Sequence, residues 1–277
     1  MNGDIFEEIV ELRRQGQRAA LAIIISRKGS TPRKDAAKML VYEDGHRTGT
    51  IGGGCAEDEV CREALAAIRQ GKPQVLKFDL TGDDAEDGGM ICGGSMEVYV
   101  EPILPEPALV IFGAGHVGRC VADIAKTVGF RILVADDRIK YANKQRFPHA
   151  DALYVDGWDE MFKQLPVNDS TYLLIVTRGH QYDFACLRYA LKTPAKYIGL
   201  MGSRRKVKLF FEELQKEGVA PGQLARVHSP VGIEIGSETP EEIAVSIVAQ
   251  LIDIRKRSPE EKTHSADLGN QTLDFRP

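Results

Sequence analysis

The chain has 277 residues, 43% of them hydrophobic, and carries a formal net charge of −4 at pH 7. That length suits roughly two domains and that composition a soluble globular protein, while the mild acidity leaves no general nucleic-acid footprint. Met1-Asn2-Gly3-Asp4 lacks the basic region and apolar run of a secretory signal, no apolar stretch reaches bilayer length, and five cysteines without a C-x-x-C pair are expected as free thiols of a cytoplasmic chain.

In chain order, residues from about 4 to 15 read as a helix. Its apolar face is Ile5, Phe6, Ile9, Val10 and Leu12, and Gly16 stops it. Residues 19–25 form a continuous apolar run, the mark of a buried strand. That strand delivers Arg27-Lys28-Gly29-Ser30-Thr31-Pro32-Arg33-Lys34, whose four cations and two hydroxyls suit a phosphate or another anion. A solvated basic turn is the alternative. Residues 38–43 and 47–51 read as a hairpin around Asp44-Gly45.

The return strand ends at Thr50-Ile51-Gly52-Gly53-Gly54-Cys55-Ala56-Glu57-Asp58. Three glycines precede a thiol here, and the thiol precedes a helix marked by Val60, Ala64, Leu65 and Ile68. Glu57, Asp58 and Glu59 are the acids that a helix start favours. Glycines let a backbone approach a ligand closely. Amides at a helix start bind anions, and a thiol in that field is more acidic than a free one. The stretch predicts a site for an anionic, thiol-seeking or metal-containing ligand. A tight turn over a small buried cysteine is the alternative.

Gly71-Lys72-Pro73 breaks the chain, 75–80 reads as a strand, 79–89 as an acidic loop, and 97–101 as another strand. Met90-Ile91-Cys92-Gly93-Gly94-Ser95 sets a second thiol beside paired glycines, so Cys55 and Cys92 read as two halves of one site. Two thiols without His or Cys partners at ligand spacing make a poor zinc site. Pro102, Pro105 and Pro107, interleaved with Glu101 and Glu106, mark a linker.

The second half opens with a strand at 108–112, then Gly113-Ala114-Gly115-His116-Val117-Gly118 and a helix to about 128. A second strand, 131–135, ends at Asp136-Asp137. A G-x-G-x-x-G turn between strand and helix, with an acid about twenty residues on, fits a dinucleotide-binding fold. Gly113 allows the turn, Gly115 admits a pyrophosphate, Gly118 lets helix pack on strand, and Asp136 is placed for a ribose diol. Folds also keep this turn for structural reasons alone.

Strand and helix continue to alternate over 152–155, 158–164, 172–176, 183–191, 196–200 and 204–215. Ligands in such sheets bind beyond the carboxyl ends of the strands. Two polar clusters fall there: Thr177-Arg178-Gly179-His180 followed by Asp183, and Gly202-Ser203-Arg204-Arg205-Lys206, which opens a helix and suits an anion. His116, His180 and Asp183 are expected to share a crevice with Gly115, although each histidine alone reads equally as structural. Residues 227–236 read as extended, and Thr239-Pro240-Glu241-Glu242 opens a helix with a capping box. Its apolar face, Ile243, Ile247, Val248, Leu251 and Ile252, is expected to pack on another domain or subunit, which argues for a homodimer. The fold class is therefore α/β. An N-terminal mixed α/β domain spans 1–104, a Rossmann-like doubly wound parallel-sheet domain with a C-terminal helix spans 105–257, and a polar tail expected to be disordered spans 258–277.

Several stretches together carry a resemblance. They are Gly29-Ser30-Thr31-Pro32-Arg33, Gly49-Thr50-Ile51-Gly52-Gly53-Gly54-Cys55-Ala56-Glu57, Cys92-Gly93-Gly94, Gly113-Ala114-Gly115-His116-Val117, Thr177-Arg178-Gly179-His180, Tyr197-Ile198-Gly199-Leu200-Met201-Gly202-Ser203-Arg204, and His228-Ser229-Pro230-Val231-Gly232 through Pro240-Glu241-Glu242-Ile243-Ala244. In this order they resemble the xanthine dehydrogenase accessory protein family, XdhC/CoxI, over about residues 5 to 256.

The resemblance implies a maturation factor without turnover of its own. Such a protein binds molybdenum cofactor (molybdopterin), supports its sulfuration with a cysteine desulfurase, and hands it to an apo molybdenum hydroxylase of the xanthine dehydrogenase type. Cys55 is then the first expected contact to molybdenum and Cys92 the second, with Gly52, Gly53, Gly54 and Arg33 around the cofactor. Gly113, Gly115, His116, Gly118, Asp136, Arg178, His180, Ser203 and Arg204 would line a crevice for the nucleotide part of a dinucleotide cofactor form, or for NAD(P). No residue is assigned a catalytic role, and no membrane or nucleic-acid partner is expected.

Two other readings compete. One is an NAD(P)-dependent oxidoreductase with His116 or His180 as acid–base and Cys55 as a redox or nucleophilic thiol. The other is a nucleotide-sensing regulatory protein that needs the crevice but not Cys55.

Overall fold

A computed structural model describes residues 4–28, 37–79 and 95–256, with only the main chain of Lys28, Cys55 and Asp79. The chain divides into two compact units between Glu106 and Pro107.

The first unit begins with helix α1, Ile5–Gln15. Asp4 caps it by accepting the Phe6 N–H at 2.9 Å, and Gly16 closes it at φ 76°. The strands are β1 (Ala19–Lys28), β2 (Lys38–Tyr42), β3 (Arg47–Gly49), β4 (Gln74–Asp79) and β5 (Ser95–Ile103). They form one antiparallel sheet in the order β3-β2-β1-β5-β4. The apolar run of β1 follows from its central place with both faces covered. Alternate side chains point to opposite faces of a strand. Ala20, Ala22 and Ile24 pack under Val60, Ala64 and Ile68 of helix α2, Cys55–Gln70, while Ala19 and Leu21 pack with Leu12 of α1.

The α1 face is narrower than the sequence suggests. Ile5, Ile9 and Leu12 pack, whereas Phe6 and Val10 are about half exposed. An eleven-residue helix laid on a sheet needs only one stripe.

The second unit holds six parallel strands: β6 (Ala108–Phe112), β7 (Arg131–Ala135), β8 (Ala152–Tyr154), β9 (Thr171–Ile175), β10 (Tyr197–Leu200) and β11 (Val227–His228). Their order is β11-β10-β9-β6-β7-β8. The chain runs outward one way from β6, returns beside it at β9, and runs outward the other way. This is the doubly wound Rossmann order, with its switch point between β6 and β9.

Helices α3 (His116–Thr127) and α8 (Pro240–Lys256) cover one face. Helices α4 (Trp158–Gln164), α5 (His180–Leu191) and α6 (Arg204–Lys216) cover the other, and a short α7 (Pro221–Leu224) follows. β6 shows why both layers hold: Leu109 and Ile111 enter the first core, Val110 and Phe112 the second, and all four are 0% exposed.

Two sequence expectations change. The α8 face was expected to reach another domain or subunit. Instead Ile247, Val248 and Leu251 join the core beside Val121 and Ala125 of α3, so that face no longer argues for a dimer. Helix α5 starts at His180 rather than at 183, because Gly179 takes the extended cap conformation. Only Val227–His228 of the segment 227–236 joins the sheet. Residues 257–277, expected as a disordered tail, lie outside the described residues. No helix among the described residues is long and apolar enough to cross a membrane.

Candidate functional site

In the first unit the hairpin β2–β3 leads into the glycine turn. Gly52, Gly53 and Gly54 take φ values of 138°, 83° and 73°. Only glycine adopts such angles in succession without strain. The turn is held from one side by Glu57, which is 8% exposed. One of its oxygens, Oε2, accepts both the Thr50 hydroxyl at 2.7 Å and the Gly53 N–H at 2.8 Å. The Thr50 oxygen accepts the Gly52 N–H at 3.1 Å. Arg47 approaches the other carboxylate oxygen of Glu57 at 3.7 Å and Asp58 at 3.1 Å.

On its outer side the turn is open, since a Cβ on Gly53 would meet nothing within 4 Å. Gly54 caps α2 without a side-chain hydrogen bond. Within the first turn the Glu57 and Asp58 N–H groups both donate to the Gly54 carbonyl, at 3.0 and 3.4 Å. Cys55 is the first residue of that helix. Arg33, Cys92 and the Cys55 side chain lie outside the described residues, as does the expected meeting of the two thiols.

Sequence reasoning read Glu57 only as an acid at a helix start and did not single out Thr50. The available signal was spacing: Glu57 is the third residue after the cap Gly54, the position from which a carboxylate reaches back to the preceding loop.

In the second unit the three glycines after β6 have separate reasons. A Cβ on Gly113, at φ 114°, would lie 2.4 Å from the Val176 carbonyl oxygen. One on Gly118 would lie 2.2 Å from the Gly113 carbonyl oxygen. The fold itself demands both glycines. A Cβ on Gly115 would meet nothing within 4 Å.

Asp136, at the end of β7, is buried. Its carboxylate accepts the Ala114 N–H at 2.8 Å, the Arg138 N–H at 3.0 Å, and the Arg138 guanidinium through Nε and Nη2, both at 2.8 Å. Burial alone would push this carboxyl up, but Arg138 and the Ala114 amide outweigh it and hold Asp136 below the usual carboxylate range. The acid expected to meet a ribose diol is thus already engaged by its own chain.

Arg178 donates to Asp137 and to the Tyr182 hydroxyl, each at 2.8 Å. Asp183 does not pair with a histidine as a proton relay would require. It is buried, accepts the Thr177 N–H at 3.1 Å and hydroxyl at 2.7 Å, and forms a close ion pair with Lys206. Lys206 also donates to the Met201 carbonyl at 2.9 Å. His116 and His180 are exposed at the first positions of α3 and α5, and the His180 ring stands edge-on to Phe210. Ser203 caps α6 by accepting the Lys206 N–H at 3.3 Å, and Arg204 follows it, exposed. Asp137, Tyr182 and Lys206 are the members of this edge that the sequence did not reveal as partners.

A doubly wound parallel sheet with a glycine turn at its switch point defines a Rossmann-type domain, here in a chain that also carries a glycine–thiol turn. The chain belongs to the XdhC family: residues 109–251 match the XdhC Rossmann domain, and residues 12–79 match the XdhC and CoxI family. It is 38% identical over 257 residues to the protein YqeB of Escherichia coli K12, covering 92% of this chain. This chain spans about half of that relative, 47% of its length. It is 22% identical over 284 residues to the molybdenum cofactor insertion chaperone PaoD of the same organism, covering 91% of this chain and 88% of PaoD. Among solved structures it is similar to a xanthine dehydrogenase from Bacillus halodurans, with a TM-score of 0.51 at 25% identity over 93% of this chain and 97% of that one.

Proposed function

We propose that this chain is an accessory protein of molybdenum hydroxylases. It binds molybdenum cofactor at the glycine–thiol turn, supports its sulfuration by a cysteine desulfurase, and passes it in the cytoplasm to an apo-hydroxylase of the xanthine dehydrogenase type. The observation that carries this reading is the turn Gly52–Gly54. Three glycines at positive φ lead directly into Cys55, the first residue of α2, and a Cβ on Gly53 would meet nothing within 4 Å.

Molybdenum cofactor carries its metal on its own organic ligand, and a soft thiolate such as that of Cys55 suits such a metal. Bound there, the cofactor would supply the molybdenum centre that the client enzyme uses. The chain's own residues have other tasks: amides meet the anionic part and Cys55 contacts the metal or its sulfur. The function in the printed name of PaoD supports the same reading.

The Rossmann crevice takes the nucleotide part of a dinucleotide cofactor form. Gly115 supports this, because its missing side chain answers no contact within the fold. The oxidoreductase reading is weaker, since its acid–base candidates His116 and His180 are exposed at helix starts, and the buried Asp183 pairs with Lys206 rather than with either.

Anaerobic equilibrium binding of molybdenum cofactor, with NAD⁺ in parallel and Cys55→Ala as control, tests the reading. Cofactor binding that Cys55→Ala abolishes is the expected result. NAD⁺ binding without cofactor binding would replace it with the oxidoreductase or sensor.

A further inference from the structure

We propose that Glu57 is a positioning residue. It holds the Gly52–Gly54 turn in the shape that leads into α2 at Cys55, and it does so by hydrogen-bond geometry rather than by charge. The inference rests on the functional reading above for its ligand, but not for its structural content.

A run of three glycines has more conformational freedom to lose than any other tripeptide. Something must fix it if the turn is to meet a ligand preformed. Thr50 and Glu57 do so from the two ends of the turn. Oε2 of Glu57 accepts the Thr50 hydroxyl and the Gly53 amide together, and Thr50 accepts the Gly52 amide. Two of the three glycine amides are thereby bound to one connected pair of side chains. Glu57 sits in the first turn of α2, two residues after Cys55, so the same helical turn carries both the thiol residue and the staple. Ile51, 2% exposed, anchors the strand end beneath.

The geometry makes a sharp distinction between substitutions. Both bonds to Glu57 end on one oxygen. A glutamine with its carbonyl oxygen in that place keeps both and loses only the charge facing Arg47, 3.7 Å from the other oxygen. An alanine loses everything.

The test compares Glu57→Ala, Glu57→Gln and Thr50→Val with wild type in the full chain, each checked by thermal unfolding. One readout is anaerobic binding of molybdenum cofactor. The other is the pH profile of Cys55 alkylation by iodoacetamide, followed by peptide mass spectrometry. Glu57→Ala is expected to bind about tenfold more weakly, as the loss of hydrogen bonds and preorganisation dictates. Glu57→Gln is expected to stay near wild type and to differ from Glu57→Ala in its alkylation profile. Both variants lack the charge, so a difference between them isolates the hydrogen bonds. Glutamine behaving like alanine, or alanine behaving like wild type, overturns the proposal. Should Glu57→Ala not fold, Thr50→Val decides: wild-type binding and alkylation there also overturn it. If the wild type binds no cofactor, the functional reading fails, while the alkylation profiles still judge the role of Glu57.

Discussion

The Arg178 guanidinium, just beyond the end of β9, lies 2.8 Å from the Asp137 carboxylate just beyond the end of β7. These two strands flank β6. The ion pair therefore spans the carboxyl end of the strand that delivers the glycine turn, where ligands of such sheets lie. Its members are 37% and 24% exposed, so the pair adds little to stability. Its consequence is for binding. Asp137→Asn releases the guanidinium toward a phosphate and should tighten ADP binding several-fold, while Arg178→Ala should weaken it. Titration calorimetry at two salt concentrations measures both. Equal affinities in wild type and both variants would remove Arg178 from the crevice site.

Gly115 and Gly118 should part company under the same substitution. Gly118→Ala forces a methyl against the Gly113 carbonyl at 2.2 Å and is expected to cost about 1–3 kcal/mol or more in urea unfolding. Gly115→Ala meets nothing within 4 Å and should unfold like wild type. Its effect should appear only as weakened nucleotide binding, because the methyl occupies the space where a phosphate would approach. A Gly115→Ala protein that binds ADP as well as wild type would show that this glycine serves no ligand.

The parts of the fold visible in the sequence were those set by local pattern. The β6 run, the glycine turn and the Asp136-Asp137 end announced the doubly wound sheet, because each is a period or a turn requirement written in adjacent residues. Gly16 announced the end of α1 in the same way. The partners of polar side chains were not visible. Asp183 meets Lys206 across 23 positions and Arg178 meets Asp137 across 41. Only the sheet order brings such residues together, so nothing in the sequence paired Asp183 with Lys206 of α6. The α8 face misled for a related reason: an apolar stripe states that something covers it, and α3, more than a hundred residues away, does so.

Acid should expose the Asp136 network. Its folded pKa is depressed, chiefly by Arg138 and the Ala114 amide acting against burial. Folding therefore favours the ionised form. The stabilisation is present above the unfolded value of about 3.9 and is lost as pH falls through the lower folded value. In urea titrations the gap between wild type and Asp136→Asn should be widest near neutral pH and close below about pH 4. A gap that stays constant with pH would mean that asparagine fails for reasons of shape alone.

The Asp183–Lys206 pair holds the loop that carries Arg178. Its side chains are 5% and 13% exposed, and Asp183 also binds Thr177 through both N–H and hydroxyl. Lys206→Met strands a buried carboxylate and should cost about 3–5 kcal/mol. Asp183→Asn combined with Lys206→Met should cost less than Lys206→Met alone. The asparagine oxygen still accepts from Thr177, and no unpaired charge is left in the interior. The same double variant should retain the placement of Arg178 and hence the ADP affinity, since Thr177 stays anchored. Urea unfolding and calorimetry on the single and double variants decide the matter together. A double variant less stable than Lys206→Met would show that the charge itself, rather than the bonds to Thr177, holds the loop.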